Sequence, residues 1–241
     1  MKTLSKTILT VLATGVISCG LLTQQAQAGA ILFTDNLQHL VDTQGSIGIG
    51  DKVFNNFDFT TGGLTGFNAS GVIVTATVDN TGTYFLTYTG TLGGLVSATG
   101  PAVADLLLRY TVTATAGQIG LIDQQYTGGI APLGAGFLTI DETASFGGTV
   151  FGNSHLEIND FSDPPVETGD NLIINPAQTI LNVQKDIGYF ITAATGGVVS
   201  VSIVAQSFHQ TVPDGGSAVA LLGIALAGIE GARRIFRARK G

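Results

Sequence analysis

Between residues 29 and 211, apolar and hydroxyl-bearing side chains alternate in short runs separated by glycines. The clearest runs are Val72–Val78 (VIVTATV), Thr83–Thr89 (TYFLTYT), Leu107–Thr115 (LLRYTVTAT) and Val198–Phe208 (VVSVSIVAQSF). Weaker ones are Phe137–Ile140, Ser145–Phe151, His155–Ile158 and Thr179–Val183. A period of two puts Val, Ile and Leu on one face of an extended strand and Thr or Ser on the other, as an antiparallel sheet buried on one side requires. Asn80-Thr81-Gly82 fits a tight turn between the first two runs. Only Asp35–Thr43 and Pro101–Leu107 read as short helical turns. Eight or more strands without βα alternation predict an all-β fold, an antiparallel β-sandwich, with a flattened β-barrel as the alternative. No internal repeat has a fixed period, which argues against a solenoid.

Both ends of the chain leave this pattern. Met1–Lys6 is short and basic, Thr7–Leu22 is mostly apolar, and Ala26-Gln27-Ala28 places small residues where signal peptidase inspects them. This layout predicts a secretory signal cut between Ala28 and Gly29. Val16-Ile17-Ser18-Cys19 offers a second route, lipidation of Cys19, the single cysteine. At the other end, turn-prone Val212-Pro213-Asp214-Gly215-Gly216 precedes an uncharged run, Ser217–Ile229. Gly215–Ala232 would span ~27 Å as a helix at ~1.5 Å per residue, against a hydrocarbon core of ~30 Å. A single C-terminal transmembrane helix is therefore expected. Glu230 precedes Arg233 and Arg234 by three and four residues, spacings that bring opposite charges together on a helix. Arg233, Arg234, Arg237, Arg239 and Lys240 form a basic stop that the positive-inside rule keeps in the cytoplasm. The chain thus divides into a signal at 1–28, an ectodomain at 29–211 and a C-terminal segment at 212–241.

Charge sharpens the division. The 241 residues carry a net −7, made of +2 in residues 1–28, −12 in residues 29–211 and +3 in residues 212–241. The middle block holds three bases, Lys52, Arg109 and Lys185, against fifteen acids. Such a body repels nucleic acid and anionic lipid. Once Cys19 leaves with the signal, neither disulfides nor thiol chemistry remain.

Candidate chemistry is sparse. His39, His155 and His209 lie far apart without metal-ligand spacing, so no metal and no cofactor is expected. No G-x-S-x-G elbow supports a hydrolase, and Thr61-Gly62-Gly63 and Gly93-Gly94 lack the Lys of a phosphate loop. The acidic stretch Glu157–Asp170 (EINDFSDPPVETGD) holds five carboxylates that could offer oxygens to Ca²⁺. The alternative is a solvated hairpin connection between His155–Ile158 and Leu172–Ile174. Tyr84, Tyr88, Tyr110 and Tyr126 could stack on sugars or pack within strands.

The order of motif, apolar helix and basic tail in residues 212–241 resembles the PEP-CTERM family of bacterial sorting signals. Val212-Pro213-Asp214-Gly215-Gly216-Ser217 looks like its VPDSG variant, with Gly216 where that name carries Ser and Gly. Glu230 departs from the family pattern. Within the body, Gly45-Ser46-Ile47, the run Gly50-Asp51-Lys52-Val53-Phe54-Asn55-Asn56-Phe57, Lys185-Asp186-Ile187 and Ser207-Phe208-His209-Gln210 resemble phrases of exported proteins with such tails. The resemblance implies that an exosortase processes the chain, which is substrate and not enzyme. It implies passage through the inner membrane with a cytoplasmic C-terminus, then a cell-surface or extracellular location. Signal peptidase, the exosortase-like enzyme, the membrane and extracellular polysaccharide are the expected partners, with nucleic acid excluded. A carbohydrate-binding sandwich module, with or without Ca²⁺, is the alternative function.

Overall fold

The computed structural model describes residues 33–159 and 169–211. Two antiparallel sheets stack face to face, without closing into a barrel. Sheet A contains β1 (Phe33–Asn36), β4 (Val72–Val78), β5 (Tyr84–Gly90), β13 (Gly197–Thr211), β8 (Gln118–Ala131) and β11 (Gly169–Gln178) in that spatial order, and β6 (Gly94–Ser97) also pairs with β13. Sheet B runs β10 (Thr149–Ile158), β9 (Gly136–Phe146), β12 (Ile180–Ile191), β7 (Ala102–Ala114), β3 (Lys52–Gly62) and β2 (Ile47–Ile49). A short helix, α1 (Leu37–Asp42), follows β1; the Asn36 side chain caps it by accepting from the His39 amide at 2.8 Å.

Alternation explains the stacking. Val72, Val74 and Ala76 of β4, with Val204 and Phe208 of β13, point inward, as do Leu106, Leu108, Tyr110 and Val112 of β7. Phe54 of β3 and Phe208 meet across the interface with ring centroids 5.1 Å apart. Each fully buried Val, Leu or Phe among them contributes roughly 1.5–3 kcal/mol relative to exposure. Phe54 and Phe57 are both buried although three residues apart. A bulge between Asn55 and Asp58, with Asn56 at φ +53°, restores the inward phase, the usual work of an extra residue in a strand.

The sandwich agrees with the expectation from the sequence, and several boundaries are corrected. Pro101–Leu107 does not form a helical turn: from Ala102 onward it is the first half of β7. The run Ser145–Phe151 is no single strand, because Gly147 and Gly148, both at positive φ, turn the chain from β9 into β10. Thr83–Thr89 corresponds to β5, and the turn before it is pinned by Asp79, whose carboxylate accepts from the amides of Thr81 and Thr83, each at 2.9 Å. The connection after β10 is no hairpin, since β10 lies in sheet B and β11 in sheet A.

Candidate functional site

Three polar groupings stand on this scaffold, one on each outer face and one between the sheets. On the outer face of sheet A, Phe85, Asp123, Gln125, Asn171 and Ser207 line an open depression of about 420 Å³. Adjacent strands bring Ser207 and His209 of β13 beside Asp123 of β8. His209 Nε2 lies 2.6 Å from Asp123 Oδ2 and 3.1 Å from Ser207 Oγ, and Ser207 Oγ donates to Asp123 Oδ2 at 3.2 Å. Sequence reasoning found no hydrolase motif, yet Ser, His and Asp meet here. The geometry is not that of a proton relay, which needs the carboxylate on Nδ1 and the hydroxyl on Nε2. Here both compete for one nitrogen.

On the outer face of sheet B, Asp141 and Asp186 are direct cross-strand partners, and Asp105 faces Gly188. Burial, then the charges of Asp105 and Asp141, push the Asp186 carboxyl up, against a smaller opposing effect of Arg109. His155 pairs with Asp141 at 2.8 Å, and His39 with Asp35 at 2.7 Å. Each histidine therefore has its own aspartate in a separate place. Among the described residues no group of three or more His, Cys, Asp or Glu is placed to hold a metal ion. Of the acidic stretch Glu157–Asp170, residues 160–168 lie outside the described residues; Glu157 accepts from Asn159 at 3.0 Å, and Asp170 stands in β11.

The most enclosed grouping lies in the middle of the sandwich. In sheet B, Ser154, Glu142 and Lys185 occupy one row across β10, β9 and β12. In sheet A, Asp170, Gln124 and Gln206 occupy the facing row across β11, β8 and β13. Lys185 Nζ lies 3.1 Å from Glu142 Oε2 and donates to Gln124 Oε1 at 2.5 Å and to the Tyr126 hydroxyl at 2.8 Å. Tyr126 donates to Gln124 Oε1 at 2.5 Å, and Gln124 Nε2 donates to Ser154 Oγ at 2.7 Å. Gln206 donates to Glu142 Oε1 at 2.5 Å and accepts from Tyr110 at 2.8 Å. Lys185, Glu142, Gln124 and Gln206 are all at most 3% exposed. Burial pushes the Glu142 carboxyl up, although Lys185 opposes it, and pushes the Lys185 ammonium down, although Glu142 opposes that. Both directions favour the neutral pair, as expected where desolvation dominates. Tyr110 and Tyr126 are held well above the ordinary phenol range, by burial first and the Glu142 charge second.

None of these core residues stood out as a site in the sequence except Tyr110 and Tyr126, which turn out to be buried and not free to stack on sugars. A signal was there: Leu181, Val183 and Ile187 are inward in LNVQKDIGYFI, and Lys185 shares their phase. Two of the phrases singled out in the body, Gly50–Phe57 and Ser207–Gln210, acquire structural roles. Lys52 Nζ sits 2.6 Å from Asp51 Oδ1 and 4.4 Å over the Tyr84 ring, while Gln210 donates to Asp51 and to the Ala116 carbonyl.

The remaining predicted site residues lie outside the described residues. These are Ala26, Ala28 and Gly29 at the signal junction, Val212–Ser217 of the motif, and Arg233, Arg234, Arg237, Arg239 and Lys240. The expected transmembrane helix lies there too; among the described residues no helix is long and apolar enough to cross a membrane.

Residues 211–236 match the VPDSG-CTERM motif. No curated protein matches the chain. Among solved structures, a carbohydrate-binding module described for specific mannan recognition, TmCBM27, is similar at 9% identity and TM-score 0.34, covering 77% of this chain and 100% of that one. A family two carbohydrate esterase from Cellvibrio japonicus is similar at 10% identity and TM-score 0.26, covering 77% of this chain and 36% of that one. A carbohydrate-binding module of the β-sandwich superfamily described for promiscuous specificity follows at 8% identity and TM-score 0.24, covering 76% of this chain and 98% of that one. Likenesses this distant carry no functional conclusion.

Proposed function

We propose that this chain is an exported, non-enzymatic protein, held in the inner membrane by its C-terminal segment and then displayed at the cell surface or in the extracellular matrix after processing by an exosortase-like enzyme. The observation that carries this reading is the VPDSG-CTERM match at residues 211–236, which begins on Thr211, the last residue of β13. All the strands among the described residues end by Thr211, so cleavage within the motif would leave each of their ladders intact. Pro213 and the glycines disfavour regular structure, leaving backbone a processing enzyme can grip. The acidic exterior suits a secreted body: of the three cations in residues 29–211, Lys52 and Lys185 are buried and Arg109 pairs with Asp58 at 2.9 Å.

Fractionation of source cells with a tag placed between residues 29 and 40 tests this reading. The native chain should pass to the surface in a shortened form, and Pro213→Ala with Asp214→Ala should accumulate at full length in the inner membrane. Unchanged processing of the double variant would remove the sorting assignment.

A second reading, carbohydrate binding by the sandwich, is favoured by the sheet A depression, where the half-buried Phe85 ring sits beside the hydrogen-bonding groups of Gln125, Asn171 and Asp123. An apolar ring flanked by amide and carboxylate groups suits a sugar. Retention of the protein on an exopolysaccharide column, lost in Phe85→Ala, is the expected result; equal elution of both proteins in the void volume would end this reading.

A further inference from the structure

The core grouping is more than a set of satisfied polar atoms, because it places an amine against an amide carbonyl with acid, base and donor groups already in position. Lys185 Nζ is 2.5 Å from Gln124 Oε1. With a C=O bond of ~1.23 Å, the amide carbon then lies no more than about 3.7 Å from the amine nitrogen, close to the ~3–3.5 Å of a near-attack arrangement. Tyr126 donates to the same oxygen at 2.5 Å, where negative charge would develop on attack, the position in which a fixed donor is most effective. Ser154 Oγ meets the nitrogen that would leave, at 2.7 Å. Glu142 stands 3.1 Å from the amine to relay a proton.

We propose that Lys185 and Gln124 join in an intrachain isopeptide bond, a self-catalysed transamidation that ties β12 of sheet B to β8 of sheet A. The neutral amine attacks Gln124 Cδ, forming the Nζ–Cδ bond as the carbonyl π electrons move onto Oε1 under the Tyr126 hydroxyl. One proton passes from Nζ to Nε2 through the Glu142 carboxyl, the Cδ–Nε2 bond breaks, and ammonia leaves beside the half-buried Ser154 on edge strand β10. No external oxidant or co-reactant enters the balance. Burial favours the neutral amine and the protonated acid that the step needs, the way enclosed lysines become nucleophiles. Afterwards Glu142 remains as a buried neutral acid, with Gln206 still donating to it. Asp170, in the facing row, is the other carboxylate acting on this pair: its charge adds to the rise at Glu142 and opposes the fall at Lys185, where burial is the largest effect. The bond would supply a covalent clamp in a chain whose single cysteine lies at position 19, ahead of the expected cleavage.

Intact-mass spectrometry of the protein from its source cells, after both termini have been read by peptide sequencing, tests the bond directly. The expected mass is lower than that of the processed sequence by one ammonia, and a digest should yield a branched peptide joined through Gln124 and Lys185. Lys185→Met and Glu142→Gln should both show the full sequence mass. Tyr126→Phe, which keeps the ring and its packing, should form the bond at least tenfold more slowly. The decisive measurement is made on the native protein, so a variant that fails to fold does not blunt it. A native mass equal to the sequence would overturn the proposal, as would an ammonia deficit that maps elsewhere. Loss of water instead of ammonia would move the bond to Glu142 and equally overturn the assignment to Gln124.

Discussion

Lys52 and Lys185 are each at most 1% exposed, yet the two sites ask different things of an ammonium group. Lys52 lies beneath Tyr84 with its nitrogen against Asp51, whose side chain remains 18% exposed. Its nitrogen therefore meets a partly solvated partner and an aromatic face. Lys185 meets a carboxylate with no exposure at all and the polar atoms of Gln124 and Tyr126, with the second sheet stacked over them. Removing two charges from water costs several kcal/mol per ion unless geometry repays it, and here that cost outweighs the mutual attraction and favours the neutral pair. The contrast shows that burial alone does not define a lysine's role: the exposure of its partner does.

The largest way to break this contrast is Lys185→Met, which strands Glu142 without its partner. Denaturant unfolding should show a loss of about 3–5 kcal/mol, the unsatisfied Glu142 carboxyl adding to the lost cross-link. Adding Glu142→Leu should recover the share of the stranded carboxyl, since paired apolar replacement is often neutral. A deficit of about 2–4 kcal/mol that persists in the double variant would measure the lost cross-link between the sheets.

Lys52→Met should cost less, about 1–2 kcal/mol at neutral pH, for the ring contact and the ion pair. Its pH dependence separates it from Lys185. Burial pushes the Asp51 carboxyl up, but hydrogen bonds from Lys52 and Gln210 outweigh it and leave it below 3.8. A depressed carboxylate contributes stability that is present above its unfolded value and lost as pH falls through its folded one. Urea midpoints of native and Lys52→Met protein should therefore differ most above pH 3.8 and converge below it. A gap unchanged by acid would show that packing alone accounts for Lys52.

The architecture is legible in the sequence because strands such as β4 alternate cleanly, the VIVTATV pattern and the observed strand covering the same seven residues. β8 escapes a reading by pattern for a physical reason: Gly120, Gly128 and Gly129 mimic turn punctuation, and Gln124 interrupts its apolar phase. That interruption is the feature that builds the core grouping. Period two alone points Lys185 and Glu142 inward, but their meeting depends on the register between β9 and β12, which no local pattern reveals. Similarly, Ser207, His209 and Asp123 converge only because β13 lies beside β8 in the sheet. The terminal signals behave in the opposite way, because their order along the chain is itself the information, and a match at residues 211–236 could be found without any fold.

The place of β13 has a mechanical consequence. It pairs on one flank with β5 and β6 and on the other with β8, and its final residue, Thr211, is still in register with Gln118. Any force applied through the residues that follow therefore enters the domain along the axis of an interior strand. Antiparallel hydrogen bonds run perpendicular to that axis, so both ladders carry the load together in shear instead of opening one rung at a time. A tether leaving along an edge strand such as β1 or β11 would load a single ladder. The route of the chain into its C-terminal segment makes the sandwich a body suited to being pulled.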